Sequence, residues 1–332
     1  MTRRFSYGFL MLLAVFAGCR ELPAPEEENA IRFGVEEVMV KADFVAPNGA
    51  DYLIKSGNKT KVYGTRTDGA EKETVFNGET LTCGGSASDW SYETDQYWKK
   101  SGTYAFKAVF PIPESLGSST DGTHLTVSYS MHTTKYDLMV ASATRDMAEG
   151  YLGPVVLPFR HALSAVRVLF RKGENVAENY SLDYFEFRNL RTVGELILES
   201  EELSSDSWHL APGYRPASIF QWEAADESQR KPLYDTYAQY DGYVWHFCLP
   251  QSLAVEEGEE HPAIHFRVRM AGGTTIEDTL DIPETIQGDS YSWEPGKVYT
   301  YYIGVTPRTT EVFVSVSKWD AAYVSVDELI FD

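Results

Sequence analysis

The chain has 332 residues, with 29 Lys and Arg against 49 Asp and Glu, for a formal net charge of −20. So acidic a surface repels nucleic acid and anionic head groups, which excludes both as partners. Aromatic residues make up 14% of the chain, Tyr foremost among them, and this composition, rich also in Thr, Val and Ser, suits strands better than helices.

Arg3 and Arg4 precede an almost wholly apolar run, Phe5 to Phe16, and then Ala17-Gly18-Cys19. A basic start, a short apolar run and small residues at a cleavage point describe a secretory signal peptide over residues 1–18. The run is about a dozen residues, whereas a spanning helix needs roughly 20. Ala-Gly before cysteine resembles a bacterial lipobox, with Phe16 where Leu is more usual. Cys19 is therefore the expected lipidation site. Several acyl chains on one residue, at about 0.8 kcal/mol per buried CH₂, anchor stably in a membrane. Residues 19–30 carry two prolines and four glutamates in one stretch, cannot bury a core, and read as an extended tether.

From residue 31 onward, period-two alternation dominates. Ile31 to Val40 reads as the first strand, with Ile31, Phe33 and Val35 on one side. Tyr104, Phe106, Ala108 and Phe110 share a strand face. Val166, Val168 and Phe170 alternate with Arg167, Leu169 and Arg171. Tyr243, Trp245, Phe247 and Leu249 alternate with Val244, His246 and Cys248. Ile264, Phe266, Val268 and Met270 alternate with His265, Arg267 and Arg269. Tyr299, Tyr301, Ile303 and Val305 form another such set, as do Val312, Val314 and Val316. Turn signals at Pro47-Asn48-Gly49, Asp121-Gly122, Gly272-Gly273 and Pro295-Gly296 punctuate these runs. Many short strands with frequent turns mean antiparallel β-sandwiches. A boundary falls near residue 160, giving an N-terminal domain over 31–158 and a C-terminal domain over 159–332, each long enough for its own core. Cys83 and Cys248 would then lie in different domains and are expected as two buried thiols, although a secreted chain permits a disulfide.

The residues that carry chemistry form no catalytic, cofactor or metal constellation. There is no Gly-x-Ser-x-Gly, no phosphate-binding loop and no His-Glu-x-x-His. His261 and His265 are four apart, but on a strand that spacing is about 13 Å, too wide for one ion. His161 reads as a structural histidine at a strand start, bonded to backbone. Trp98, Trp208, Trp222 and Trp245 could stack on sugars, but aromatics in strands more often serve cores and cross-strand pairs.

Several segments, in order, resemble the fimbrillin family of the Bacteroides group, which comprises lipoprotein-derived pilus subunits and their accessory proteins. They are Tyr104-Ala105-Phe106-Lys107-Ala108-Val109-Phe110-Pro111; Asp137-Leu138-Met139-Val140-Ala141; Leu157 to Val168, with its Phe-x-His pattern at Phe159 and His161; Pro295 to Tyr301; and Val314 to Trp319. The acidic tether after Cys19 also resembles surface-export signals of lipoproteins in that group. The resemblance implies two transthyretin-like β-sandwich domains, no enzymatic activity, and a surface-exposed lipoprotein of the outer membrane or a fimbrium. It further implies that polymerising subunits lose their first strand by proteolysis. Candidate trypsin-like cleavage points are Lys41, Lys55 and Arg66. The emptied groove would take a strand from another fimbrial subunit, the partner the family implies, with host or bacterial surface proteins or glycans as further partners. The candidate donor strand is the C-terminus, where Val324 and Val326 share a face with Ile330. The other reading of that tail is a last strand paired within its own domain. A second class of function, a surface glycan-binding lipoprotein of a polysaccharide-uptake system, shares the lipidation, the strands and the aromatics.

Overall fold

The computed structural model describes residues 29–35, 53–114, 116–134, 136–150, 153–173, 179–200, 202–212, 215–237, 246–254, 257–282 and 292–319. Cys19, Lys41, Trp245, Val324, Val326 and Ile330 lie outside them, as do the second half of the first expected strand and the first three residues of the Tyr243–Leu249 run. Among the described residues the chain is almost entirely strand, as the alternation predicts, and its helical turns span only three residues each.

Strands are numbered in chain order. Eight form one sheet: β1 (Phe33–Val35), β2 (Lys59–Asp68), β3 (Glu71–Cys83), β4 (Trp90–Ser91), β5 (Thr103–Phe110), β8 (Met139–Asp146), β9 (Val155–Leu157) and β10 (Arg160–His161). Their order is β10-β8-β5-β2-β3-β4-β1-β9. Asp68 and Glu71 close the long β2–β3 hairpin around Gly69, whose φ of +60° belongs to the left-handed region that glycine enters without strain. The sheet wraps one apolar cluster drawn from its own strands and connecting loops. Phe33, Val62, Phe76, Leu81, Trp90, Tyr104, Phe106, Phe110, Met139, Val155 and Leu157 are all buried there. Tyr104, Phe106, Ala108 and Phe110 do share one face, while Val109 points to the other side.

A second sheet, in the order β14-β13-β7-β6, combines β6 (Gly117–Thr120) and β7 (Leu125–Ser130) with β13 (Val193–Leu198) and β14 (Trp208–Leu210). A two-stranded pair, β18 (Gln251–Ser252) with β21 (Ser292–Trp293), and two larger sheets complete the described fold. One holds β17 (His246–Cys248), β11 (Ser164–Lys172), β22 (Lys297–Val305) and β23 (Thr310–Lys318). The other holds β15 (Ile219–Glu223), β12 (Tyr180–Arg188), β19 (Ala263–Met270) and β20 (Thr275–Asp281), with β16 (Lys231–Leu233) paired to β12. A large cluster unites these sheets with the outer face of the first, through Tyr63, Val109 and Val140.

Pairing crosses the boundary expected at 158/159. All six residues of β7 are matched with β13, and β10 pairs back onto β8. Nor are the sheets purely antiparallel: β11 runs parallel to β22, and β1 runs parallel to β9. A single period-two segment reads the same whichever neighbour it pairs with, so alternation marks strands without fixing partners. Cys83 and Cys248 are buried, unbridged, and belong to different clusters.

Candidate functional site

The first strand is the feature on which an assembly function would turn. β1 occupies an interior place in its sheet. Phe33 is matched antiparallel with Trp90 of β4, and Phe33, Gly34 and Val35 are matched parallel with Val155, Val156 and Leu157 of β9. Ile31, Phe33 and Val35 all face inward, with exposures of 0%, 1% and 7%. The Phe33 ring sits edge-on to Phe76 at 5.3 Å, to Phe106 at 5.5 Å and to Tyr92 at 6.0 Å. The groove that receives β1 is thus aromatic at its floor.

The backbone of β1 is held on both sides. Ile31 N donates to Gln96 O at 2.8 Å, Val35 N to Ala87 O at 2.8 Å, and Val155 N to Arg32 O at 2.7 Å. Trp98 N donates to Asn29 O at 2.9 Å, and Ala30 bridges Tyr97 just before the strand. The Tyr92 hydroxyl, kept protonated by burial that pushes its pKa up, donates to Ile31 O at 2.6 Å. Outward, the Arg32 guanidinium forks onto Asp95 at 2.7 and 3.1 Å. The Asp95 hydrogen bond raises the Arg32 pKa, so the guanidinium stays charged.

The candidate processing residues sit in contrasting places. Lys55 is exposed, in a tight turn in which Asn58 N donates to Lys55 O at 3.0 Å and Gly57 takes φ +86°. Leu53, two residues earlier, is buried in the same cluster as Phe33. Arg66 is 6% exposed, within β2, and is matched with Glu73 on one side and Tyr104 on the other. Its Nε donates to Ser101 O at 2.7 Å, and the guanidinium also pairs with Asp68.

A second concentration of singled-out residues lies where the sheets meet. His161 Nδ1 donates to the Asp137 carboxylate at 2.7 Å. Both residues are buried, and the imidazole stacks flat on Trp319 with centroids 4.1 Å apart. Ala162 N donates to Leu138 O, Gly296 N to Leu163 O and Trp319 N to Gly296 O, at 2.7 to 2.9 Å. Trp208 Nε1 donates to Ala162 O at 2.9 Å. Segments far apart in sequence therefore knit one joint. It is stacked and hydrogen-bonded, and its role is to fix one set of strands against the other.

Trp208 is buried, and Trp98 and Trp222 are partly buried, packed against different clusters. His265 bonds Thr279 at 2.9 Å and Glu277 at 3.1 Å, and the His261 carbonyl accepts from Asn189. Among the described residues, no group of three or more His, Cys, Asp or Glu is arranged to hold a metal ion. Sequence reasoning missed Asp95 and Tyr92, which grip the first strand from a loop with no periodic signal. It also missed β9, because Val155-Val156-Leu157 is too short to alternate visibly.

A family model described as fimbrillin-like matches residues 46–319. No curated protein resembles the chain closely enough in sequence to count as a match. Solved structures do resemble it in fold. A candidate cell adhesion protein from Bacteroides uniformis is 17% identical, with TM-score 0.53, over 89% of this chain and 100% of that one. A fimbrial protein from Bacteroides vulgatus is 12% identical, with TM-score 0.55, over 88% and 99%. A candidate cell adhesion protein from Parabacteroides distasonis is 12% identical, with TM-score 0.52, over 87% and 96%.

Proposed function

We propose, from the premise that this chain belongs to the fimbrillin-like family, that it is a subunit of a surface fimbria, or an adhesin carried on one, which joins its neighbours by exchanging a strand. It would reach the surface as a lipoprotein anchored through Cys19. The observation that carries the reading is the setting of β1. It is a short buried strand between β4 and β9, and in chain order it precedes an exposed basic turn at Lys55.

A cut in that turn would leave β1 held by non-covalent contacts alone. Its loss would uncover unpaired backbone on β4 and β9 and the rings of Phe76, Phe106 and Tyr92. A sheet gap lined by apolar side chains is a template for an extended segment of another chain. Such a contact runs head to tail and does not close on itself, so repetition builds a filament. Lys55 is the better of the two described cleavage points, because a protease must draw several residues into an extended form. The turn at Lys55 can yield locally, whereas Arg66 is paired on both sides within β2.

The test is limited trypsin digestion of the full chain, quenched with a trypsin inhibitor before the addition of a labelled peptide copying residues 29–40, whose own Arg32 trypsin would otherwise cut. The cut chain should capture the peptide stably, and Lys55→Gln should slow both cutting and capture while Arg66→Gln does not. A chain that is cut at Lys55 and never takes up the peptide would refute strand exchange.

A further inference from the structure

The contacts of β1 describe the occupant the groove prefers. Three apolar side chains, Ile31, Phe33 and Val35, point inward at alternate positions, and any amphipathic strand could offer that. Two other features are more selective. Asp95, on the groove's rim, forks onto Arg32, the residue between the first two apolar ones. Gly34 sits where a Cβ would lie 3.2 Å from the Ala87 carbonyl oxygen. That same oxygen accepts from Val35 N at 2.8 Å, so it cannot withdraw without weakening a bond that holds the strand.

The chain's own C-terminal tail fits these features poorly. From Trp319 to Asp332 it has no Lys or Arg, and it carries Asp320, Asp327, Glu328 and Asp332. Its one alternating triad, Val324-Ser325-Val326, is followed by Asp327 where β1 has Gly34. Laid in the groove in the register of β1, it would present Ser325 to Asp95 and a carboxylate-bearing side chain to the Ala87 carbonyl. The first loses the fork onto Asp95, and the second adds crowding and electrostatic repulsion at a carbonyl oxygen.

We propose that the groove under β1 selects its occupant by charge and size: it takes a strand of a different protein that carries a basic residue between two apolar ones and a glycine two places on, and it disfavours the acidic tail of a second copy of this chain. The selection rests on the strand-exchange reading above. It makes this subunit a hetero-acceptor, one whose acceptor face is matched to another gene product.

The experiment uses full chain cut by trypsin and four labelled peptides: residues 29–40, the same peptide with Arg32→Glu, the same with Gly34→Val, and residues 320–332. An exposed ion pair changes an equilibrium by up to about fivefold, and reversing one charge replaces attraction with repulsion of similar size. The 29–40 peptide should therefore outcompete its Arg32→Glu form about tenfold at low salt. At 1 M salt, where screening acts over about 3 Å, that margin should shrink towards one. The Gly34→Val and 320–332 peptides should also lose to the 29–40 peptide. Asp95→Lys should reverse the preference between the Arg and Glu peptides, and the milder Asp95→Asn should abolish it. Capture of all four peptides with equal affinity, or an Asp95→Lys chain that still prefers the Arg peptide, overturns the selection while leaving strand exchange standing. Capture of none, the 29–40 peptide included, refutes strand exchange and the selection with it.

Discussion

Phe33→Ala puts a number on how firmly the first strand belongs to the core. Phe33 is 1% exposed, and three aromatic neighbours meet its ring within 6.0 Å. Transfer of a buried Phe side chain contributes about 1.5–3 kcal/mol, and each edge-on aromatic contact adds about 0.5–1.5 kcal/mol. Phe→Ala in a core costs about 3–5 kcal/mol in total, according to how far the site can collapse. Here collapse is restricted. Phe76 also packs against Tyr92 at 5.4 Å and Phe106 at 6.1 Å, so the rings brace one another around the vacated space. We expect a loss of about 4 kcal/mol, a large share of the 5–15 kcal/mol typical of a folded domain. Urea unfolding followed by the fluorescence of Trp90 and Trp98, both beside the strand, measures it. Val156→Ala, in the adjoining strand but 43% exposed, should stay within about 0.5 kcal/mol of the parent. A Phe33→Ala loss below about 1 kcal/mol would show that β1 does not seal the core, and the groove would have no apolar driving force for a donor.

Other substitutions test other parts of the molecule. Asp137→Ala should cost about 3–5 kcal/mol, because it strips a buried pair of one partner; a neutral result in the same urea assay would show that the joint with His161 and Trp319 carries little. Alkaline pH should destabilise the chain with a definite sign. Burial pushes the Tyr299 phenol up to about 12 and drives Tyr129 and Tyr301 higher still, whereas an unfolded tyrosine ionises near 10. The unfolded chain therefore releases protons first, so stability is full below about pH 10 and falls as pH rises through 12. Absorbance of tyrosinate, tracked beside urea midpoints, should show ionisation of these residues only with unfolding; early ionisation in the native state would contradict their burial. Cys19→Ala should release the protein from the membrane fraction, and unchanged partitioning would discredit the lipobox.

Much of this architecture could be read from side-chain alternation. Ile31, Phe33 and Val35 declare a one-sided strand, and the structure buries all three. Tyr104 to Phe110 and Ile264 to Val268 behave likewise, because each packs one face on a core and needs a period of two. What could not be read was partnership. The β7–β13 pairing joins residues 125–130 to 193–198, and nothing in either segment names the other. The parallel neighbours of β1 and β11 were hidden for the same reason. Single residues held further surprises. Asp137 stood out as part of a motif, but its role as the carboxylate under His161 depends on the long-range meeting of three segments. Asp95 looks like any surface acid until the opposing Arg32 is placed beside it. Arg66 shows the converse: a basic residue with the right chemistry for a trypsin-like protease lies inside a paired strand.

A reversible staple tests the replaceable strand most directly. Ala30 and Tyr97 form an antiparallel bridge flanked by the Ile31–Gln96 and Trp98–Asn29 hydrogen bonds, the closely spaced pairing that suits a disulfide. In a Cys19→Ser background, Ala30→Cys with Tyr97→Cys should lock the segment to the body of the protein even after trypsin has cut at Lys55. The oxidised, cut chain should refuse the labelled 29–40 peptide, and the same sample should take it up once reduced. Equal uptake before and after reduction would mean that the peptide binds somewhere other than the place of β1.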